Sequence, residues 1–302
     1  MYLNANQASD FVVMKPILKQ IVGSKLDDCQ KITSANAFVY RVGEEYVKFP
    51  ISVQTEKVLK HEVGISNFLN DRVSFSVPYF EEGQIETKID GVSGNLFYAK
   101  SQEIKGVPLY KTSWQKVPHN VFISSLVDTL AELHSVDVDE MSSLKVPTFK
   151  SRVGKLMRTV FDVSSVDFKL KSSIYKKIRS CLGEDEPDVL CHRDLHGANV
   201  FVNPKTGGIT GLLDFGMAEL APPAIEVADM GVYADASLVS RVMRAYRMKT
   251  DCDFGDLYLY HAGDRNKWLQ KLIISHAKEL NIPIKIASQQ ISVNQDKSKI
   301  KQ

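Results

Sequence analysis

Apolar and polar positions first follow a strand-like pattern and then change to helical spacing. Residues 37–50 read AFVYRVGEEYVKFP, two β-rich runs around a Gly-Glu turn, which predicts a hairpin with Lys48 in its second strand. From residue 56 to residue 70 an apolar stripe at helical spacing consists of Val58, Ile65 and Leu69. Glu62 falls on that same stripe. An inward-facing carboxylate needs a partner, because burying an unpaired charge is costly.

The remainder of the chain has a mainly helical pattern. A strand-like run at 96–104 is broken by Lys-Gly-Val-Pro at 105–108, where we expect a hinge. An amphipathic helix is predicted from 120 to 134, with its apolar stripe at Phe122, Leu126, Leu130 and Leu133. Two further helices are predicted around Leu238, Val242 and Tyr246 and around Leu269, Leu272 and Ile273.

These patterns predict an α+β fold with two lobes. Residues 1–103 would form an N-lobe of antiparallel sheet with one helix, and residues 104–287 a mainly helical C-lobe. Residues 288–302 are polar and rich in Lys and Gln, so we expect a mobile tail.

Composition narrows the class of protein without identifying it. The 302 residues are 44% hydrophobic and 25% charged, with a net charge of +2, so neither nucleic acid nor an acidic membrane is indicated as a partner. The four cysteines lack CxxC spacing, and neither a disulfide framework nor a zinc site is predicted. The sequence lacks a signal-peptide pattern and an apolar run of about 18 residues. We therefore expect a cytoplasmic protein, and we expect a monomer.

One polar loop carries the strongest chemical signal. Residues 192–199 read HRDLHGAN, and DFG follows at 214–216. Phosphoryl transfer needs a carboxylate that orients the attacking hydroxyl, a task that suits Asp194. It also needs oxygen ligands for Mg²⁺, which suits Asn199 and Asp214. Such residues also cap loops and form turns, but their joint spacing favours catalysis. For His192 we predict a role in bracing the backbone.

Lys48 and Glu62 form the second chemical element. A lysine on a strand, with a glutamate fourteen residues later on a helix, is the arrangement by which a kinase lysine reaches the α- and β-phosphates. Alone, Lys48 would read equally well as a solvated edge lysine. Together with the HRDxxxxN and DFG motifs, it is predicted to bind the nucleotide.

The motifs resemble those of the aminoglycoside phosphotransferase and choline kinase group of kinase-like enzymes. The residues that carry the resemblance are LCHRDLHGANVFV and GLLDFGMAE. VKFP, IKGVPL and ELHS look like the 2''-aminoglycoside phosphotransferases in particular, and the likeness spans Thr33 to Asp229. It implies ATP or GTP as phosphate donor and Mg²⁺ as cofactor. It also implies roles for individual residues: Asp194 as catalytic base, Asn199 and Asp214 as metal ligands, Lys48 paired with Glu62 at the phosphates, Gln102, Glu103 and Ile104 at the nucleotide base, and Asp229 as a brace of the catalytic loop.

Some positions depart from the related patterns. The segment 33–37, where protein kinases have a glycine-rich loop, contains no glycine, although Ser34 or Asn36 would be able to hydrogen-bond a phosphate. Arg193 replaces a glycine that is common in the resembled group. His196 stands where protein kinases usually have lysine, and no APE motif follows DFG. Protein substrates are therefore less expected than small molecules.

The preferred hypothesis is transfer of the nucleotide γ-phosphate to a small-molecule hydroxyl, with an aminoglycoside antibiotic as first candidate and antibiotic resistance as its consequence. Choline, an amino sugar, homoserine and methylthioribose remain alternatives, and a protein kinase is less favoured. A binding module without activity would be expected to lose catalytic residues that are present here. A P-loop kinase is excluded because its GxxxxGK[ST] motif is absent from the sequence.

A polycation would need carboxylates around it. The second lobe offers Glu219, Glu226, Asp229, Asp235, Asp251, Asp253 and Asp256, with Trp268 or Tyr258 to cover a sugar ring. The basic residues Arg241, Arg244, Arg247 and Lys249 would oppose it if they faced the cleft.

Overall fold

A five-stranded antiparallel sheet forms the first lobe, in the spatial order β1-β2-β3-β5-β4. The computed structural model of the protein describes residues 1–23, 26, 28–32, 34, 36–113, 117–160, 168–180, 187–230, 234–252, 254, 270–271, 273–275 and 278. The strands are β1 Cys29–Ile32, β2 Ala37–Val42, β3 Glu45–Pro50, β4 Phe80–Ile89 and β5 Val92–Gln102. The predicted hairpin is confirmed as β2 and β3, and Val39 lies opposite Lys48.

The predicted helix with the inward glutamate is confirmed as α2, Val53–Leu69. Ser52 begins it with a capping box shared with Thr55, which satisfies backbone groups of the first turn. Its buried residues fall into two sets. Leu59 and Val63 pack with Phe80, Phe97 and Ala99 of the sheet, whereas Ile65 and Leu69 belong to the large core of the second lobe. The helix therefore joins two cores, and Glu62 is buried on it between Leu59 and Val63 in sequence.

The N-lobe has a second helix that the sequence pattern did not predict. α1, Phe11–Val22, starts at Asp10, whose side chain accepts a hydrogen bond from the Val12 N–H. Its buried residues Met14, Ile17 and Leu18 form one core with Tyr40 and Phe49 of the sheet. The expectation of a single N-lobe helix was therefore wrong. The sequence pattern did not predict α1 because a proline inside a segment, here Pro16, disfavours a helix.

The second lobe is mainly helical, as predicted. The helices are α3 His119–His134, α4 Phe149–Val160, α5 Phe168–Ser180, α6 Pro223–Met230 and α7 Ala236–Thr250. The predicted stripe of α3 is buried, and α7 covers the region predicted around Val242. Short strands surround the polar loop: β6 Val107–Pro108, β7 Val189–Cys191, β8 Val200–Val202, β9 Ile209–Leu212 and β10 Glu219–Ala221. They pair as β6-β8-β9 and β10-β7.

Four predictions concern the lobe boundaries and the C-terminal region. Ile273 is helical and fully buried, whereas Leu269 and Leu272 lie outside the described residues. The tail at 288–302 and the C-lobe end at 287 also lie outside them. The lobe boundary at residue 103 stays a prediction. Within the described part of the chain, none of the helices combines the length and the apolarity needed to cross a bilayer.

Candidate active site

The polar loop predicted to be catalytic connects β7 and β8, and His192 fixes its first half. The His192 ring is buried, and its Nδ1 accepts a hydrogen bond from the Asp194 N–H at 3.2 Å. Its Nε2 lies 2.7 Å from the Leu213 carbonyl oxygen, which assigns the ring proton to Nε2. Burial lowers the pKa of His192 and keeps the ring neutral. The predicted bracing contact is present: His192 ties Asp194 to the strand that precedes DFG.

Asn199 fixes the second half of the loop. Its Nδ2 donates to the Asp194 carbonyl oxygen at 2.9 Å and lies 3.5 Å from the Asp194 carboxylate Oδ2. The Asn199 backbone carbonyl accepts a hydrogen bond from the Leu213 N–H at 2.9 Å. Because Asp214 follows Leu213 directly, these contacts bring Asp194, Asn199 and Asp214 into one small region.

The DFG turn holds its aspartate in an unusual backbone conformation. Asp214 has φ of 64°, in the left-handed region, and starts a 3₁₀ turn over Phe215–Met217. Phe215 is fully buried, with its ring centroid 4.5 Å from that of His192. The His61 ring of α2 contacts the Ala218 carbonyl oxygen at 2.9 Å. Packing thus anchors the turn on both sides and positions the Asp214 side chain.

Lys48 and Glu62 form the predicted ion pair, with 2.6 Å between Lys48 Nζ and Glu62 Oε1. Only 20% of the Lys48 side chain and 5% of the Glu62 side chain are exposed. Burial opposes the charge on Lys48, but Glu62 and Asp214 outweigh it and raise the pKa of Lys48 above its ordinary value. Lys48 therefore stays protonated beside the DFG aspartate.

A cavity of about 260 Å³ lies between the lobes next to this pair. Its lining residues come from the sheet, the connection between lobes and the catalytic loop: Ile32, Tyr46, Lys48, Pro78, Phe80, Ser101, Gln102, Glu103, Ile104, Pro108, Tyr110, Lys111, Ala198, Phe201 and Leu213. The predicted nucleotide contacts Lys48, Gln102 and Ile104 are thus brought together. The Glu103 N–H already donates to the Glu44 carbonyl oxygen at 2.7 Å, so this donor is occupied. Ser34 and Asn36 are exposed and outside this set, and their role stays a prediction.

Glu226 on α6 supports the catalytic loop, and sequence reasoning missed this role. Its carboxylate accepts hydrogen bonds from the His192 and Arg193 N–H groups, the latter at 3.1 Å, and it is fully buried. A carboxylate that accepts backbone N–H groups from a loop restricts that loop strongly. Asp229, the predicted brace, acts on the same loop through the Arg193 side chain.

Arg193 is the centre of a buried set of charges. Its guanidinium pairs with Asp229 and with Glu219, the latter at 2.9 Å, and Arg152 contacts the same Glu219 oxygen at 2.8 Å. Burial lowers the pKa of Arg193 to about 10, which leaves the group charged at neutral pH. Arg193 also has φ of 71°, a conformation in which glycine is the usual residue. The arginine thus occupies a glycine-type position and supplies a buried countercharge.

His196 is a further side chain beside Asp194 that was not assigned a role in the site. Its Nδ1 accepts a hydrogen bond from the Ala198 N–H at 3.2 Å, and its Nε2 lies 3.7 Å from Asp194 Oδ2. The sequence signal was its position two residues after Asp194, where protein kinases usually have lysine. The His196 ring and the Asn199 amide nitrogen thus both lie near the same carboxylate oxygen of Asp194.

The sheet lobe, the helical lobe, the cavity between them and the loop with its DFG turn define a kinase-like enzyme. Residues 28–258 match the phosphotransferase enzyme family, and the chain belongs to it. The protein is therefore a phosphotransferase with the bilobal kinase-like fold, as the sequence motifs predicted.

Solved structures show the same fold at low sequence identity. The GDP complex of aminoglycoside 2'-phosphotransferase-IIIa has a TM-score of 0.64 and 18% identity, over 90% of this chain and 94% of that chain. The streptomycin-ATP-APH(2")-IIa ternary complex has a TM-score of 0.59 and 17% identity, over 92% of this chain and 95% of that chain. The macrolide 2'-phosphotransferase MphH from Brachybacterium faecium has a TM-score of 0.56 and 15% identity, over 88% of this chain and 92% of that chain. A search of curated protein sequences found no match.

Proposed function

We propose that the protein transfers the γ-phosphate of ATP or GTP to a hydroxyl group of a small molecule. The observation that carries this proposal is the placement of Asp194 at the loop that adjoins the interlobe cavity. His192 accepts a hydrogen bond from the Asp194 N–H, and Asn199 donates one to the Asp194 carbonyl oxygen. Two of the three solved structures described above contain GDP or ATP, as their descriptions state, which supports a nucleotide as phosphate donor.

In this mechanism Asp194 accepts a hydrogen bond from the acceptor hydroxyl and orients it in line with the γ-phosphate. Lys48, kept charged by Glu62, neutralises phosphate charge from the opposite lobe. Transfer then depends on positioning and electrostatics, and we expect no covalent enzyme intermediate.

The donor set of the site fits Mg²⁺. The Asn199 amide nitrogen is committed to the Asp194 carbonyl, so the amide oxygen is its remaining ligand atom, and Asp214 offers a carboxylate from the next turn. Both are hard oxygen ligands of the kind that this cation takes. Asn199 and Asp214 would hold the ion, which would supply charge neutralisation at the phosphates.

The first candidate acceptor is an aminoglycoside, on the basis of the sequence motifs and the names of solved relatives such as the streptomycin complex. Choline, an amino sugar, homoserine and methylthioribose are the other small-molecule acceptors under consideration. A protein acceptor is less favoured, because an APE motif is absent from the sequence after DFG. We retain the cytoplasm as location, a monomeric state and the absence of nucleic-acid and membrane partners as predictions.

The test is nucleotide turnover by wild type and Asp194→Asn, with ATP and GTP separately, against aminoglycosides, choline, amino sugars and a protein substrate. Loss of the positioned base should lower acceptor-stimulated turnover by about 10² or more while nucleotide still binds. Asp128→Asn, at an exposed pair with Lys249 on the outside of α3, is the matched control and should retain wild-type turnover. Equal turnover by Asp194→Asn and wild type would exclude the proposed mechanism.

A further inference from the structure

A second cavity of about 560 Å³ lies on the helical lobe beside the catalytic loop. Its lining comes from the segment after β6, from α3, from the catalytic loop and from the segment joining α6 to α7. The residues are Leu109, Tyr110, Thr112, Phe122, Leu126, Leu195, His196, Gly197, Val200, Met230, Ala234, Asp235 and Leu238. Its volume is within the usual range of small-molecule sites, about 300–1,000 Å³. We refer to it as the acceptor cavity.

The acceptor cavity adjoins both the proposed catalytic base, Asp194, and the interlobe cavity. His196 lines it, and the Nε2 atom of the same ring lies 3.7 Å from Asp194 Oδ2. Tyr110 lines both this cavity and the interlobe cavity, and its N–H donates to the Gly197 carbonyl oxygen at 3.0 Å. A molecule seated here therefore has a short path past His196 to Asp194.

The lining of the acceptor cavity is mostly apolar. Phe122, Leu126 and Met230 are buried side chains of its wall. Among the described lining residues, Asp235 is the single carboxylate, and its Oδ1 already accepts a hydrogen bond from the Leu238 N–H as the N-cap of α7. One partly committed carboxylate is able to balance about one ammonium group, not several.

Of the other carboxylates considered for a polycation, those that the structure describes are outside the lining of this cavity. Glu219, Glu226 and Asp229 are buried behind the catalytic loop, where they bind Arg193, Arg152 and backbone N–H groups. Asp251 is also outside the lining set, and Asp253, Asp256, Tyr258 and Trp268 lie outside the described residues.

Three basic residues of α7 line a different groove. Arg241, Arg244 and Lys249 line a separate groove between α3 and α7, where Arg241 contacts Asn120 and Lys249 contacts Asp128. They therefore neither attract nor repel a molecule in the acceptor cavity at short range.

We infer that the acceptor buries a bulky apolar face in this cavity. This inference rests on the proposed function and replaces the aminoglycoside named there with another class of small-molecule acceptor. Ammonium groups would lose hydration against the apolar side chains among the described lining residues, whereas an apolar surface gains from burial there. A macrolide, a large lactone with sugar hydroxyls and a single amine, has this chemistry. A polycationic aminoglycoside lacks it.

The test measures acceptor binding separately from transfer. Protein loaded with ADP and Mg²⁺ is titrated in a calorimeter with erythromycin as macrolide probe and with kanamycin as polycationic probe. We expect a Kd for erythromycin about ten-fold or more below that for kanamycin, a difference that corresponds to about 1.4 kcal/mol of binding free energy or more. Tighter binding of kanamycin, or no binding of erythromycin, overturns the inference. ADP binding in the same titrations reports on the nucleotide site independently.

Two matched variants locate the binding. Leu238→Glu places a charge in the acceptor cavity, and Met248→Glu places the same charge on the same helix at a side chain that is 80% exposed. Leu238→Glu should weaken erythromycin binding about ten-fold, because burial of the new carboxylate is costly. Met248→Glu should not change it, and both should bind ADP as wild type does. Equal erythromycin binding by Leu238→Glu and wild type contradicts the inference, whereas loss of ADP binding in wild type contradicts the proposed function.

Discussion

Two groups of buried charges flank the catalytic loop, and they differ in what they face. The cleft pair, Lys48 and Glu62, borders the cavity between the lobes. The loop-support cluster, consisting of Arg152, Arg193, Glu219, Glu226 and Asp229, lies behind the loop and lines neither the interlobe nor the acceptor cavity. In the first group a cation remains available to a ligand. In the second group, the cations pair with the carboxylates of Glu219 and Asp229, and Glu226 accepts backbone N–H groups.

The difference shows that a buried ion pair near an active site does not by itself imply chemistry. The cleft pair has one partner 20% exposed toward a cavity, so its charge is able to act on phosphate. The loop-support cluster fixes the backbone that carries Asp194. Variants of the first group should therefore lower turnover, and variants of the second should lower the free energy of unfolding.

The largest expected effect is on stability, from Arg193→Met. The change leaves the backbone at the same strained φ but removes the partner of Asp229 and one partner of Glu219. Loss of one member of a buried charge network costs about 3–5 kcal/mol of unfolding free energy. Urea denaturation at neutral pH measures it.

Arg72→Met is the matched control for this prediction. Arg72 pairs with Glu140 at 3.1 Å, but both side chains are about half exposed, at 43% and 54%. Such surface pairs contribute about 0–1 kcal/mol. A similar stability loss in the two variants would contradict the assigned role of the loop-support cluster.

The next effect is on turnover, from Lys48→Met. Removal of a charged group aimed at the phosphates should lower turnover by about 10²–10³, the scale for one preorganised electrostatic contact. Steady-state turnover per folded protein measures it. Lys60→Met is the control, because Lys60 pairs with Glu56 on the exposed face of α2.

A double variant separates the two possible causes of that loss. Lys48→Met leaves Glu62 buried without its partner, which also lowers stability. Adding Glu62→Gln removes the unpaired charge and should recover stability without recovering turnover. Recovery of turnover in the double variant would show that Lys48 acts only through folding.

The effect that is smallest near neutral pH is a pH dependence of stability that arises next to Glu226 of the loop-support cluster. His134 is buried, its Nδ1 lies 2.7 Å from the Tyr246 hydroxyl oxygen, and burial lowers its pKa from 6.5 to about 3. Below pH 6.5 the unfolded chain therefore binds a proton that the folded chain does not. Stability is fully present above pH 6.5 and falls by about 1.4 kcal/mol per pH unit down to about pH 3.

His134→Gln should flatten the dependence of unfolding free energy on pH in that range, by up to about 1.4 kcal/mol per pH unit. Urea midpoints at pH 7, 6, 5 and 4 for wild type and variant measure it. Parallel profiles for the two proteins would show that His134 becomes protonated without loss of the fold.

The cleft side of the site was predictable from the sequence, because its residues lie in compact motifs. Asp194, Asn199 and Asp214 occur within about twenty residues, and each residue type suits one task in phosphoryl transfer. Lys48 and Glu62 were found from a change of hydrophobic period along fourteen residues, and the ion pair at 2.6 Å confirms that reasoning.

The loop-support cluster was not predictable in the same way. Glu226 accepts N–H groups from residues more than thirty positions earlier, and its neighbours in sequence give no hint of that partner. Glu219 and Arg152 come together only because β10 and α4 pack side by side. Helix α1 was missed because Pro16 lies inside it, although packing against the sheet stabilises the helix.

Because α2 packs into both cores, an inactive conformation in which this helix turns away from the sheet would be costly. Turning α2 away from the sheet would break the cleft pair, but it would also pull Ile65 and Leu69, each fully buried, out of the second lobe. Exposure of such side chains costs roughly 1.5–3 kcal/mol each. The resting protein thus has Lys48, the lysine proposed to bind phosphate, already paired with Glu62 beside the interlobe cavity.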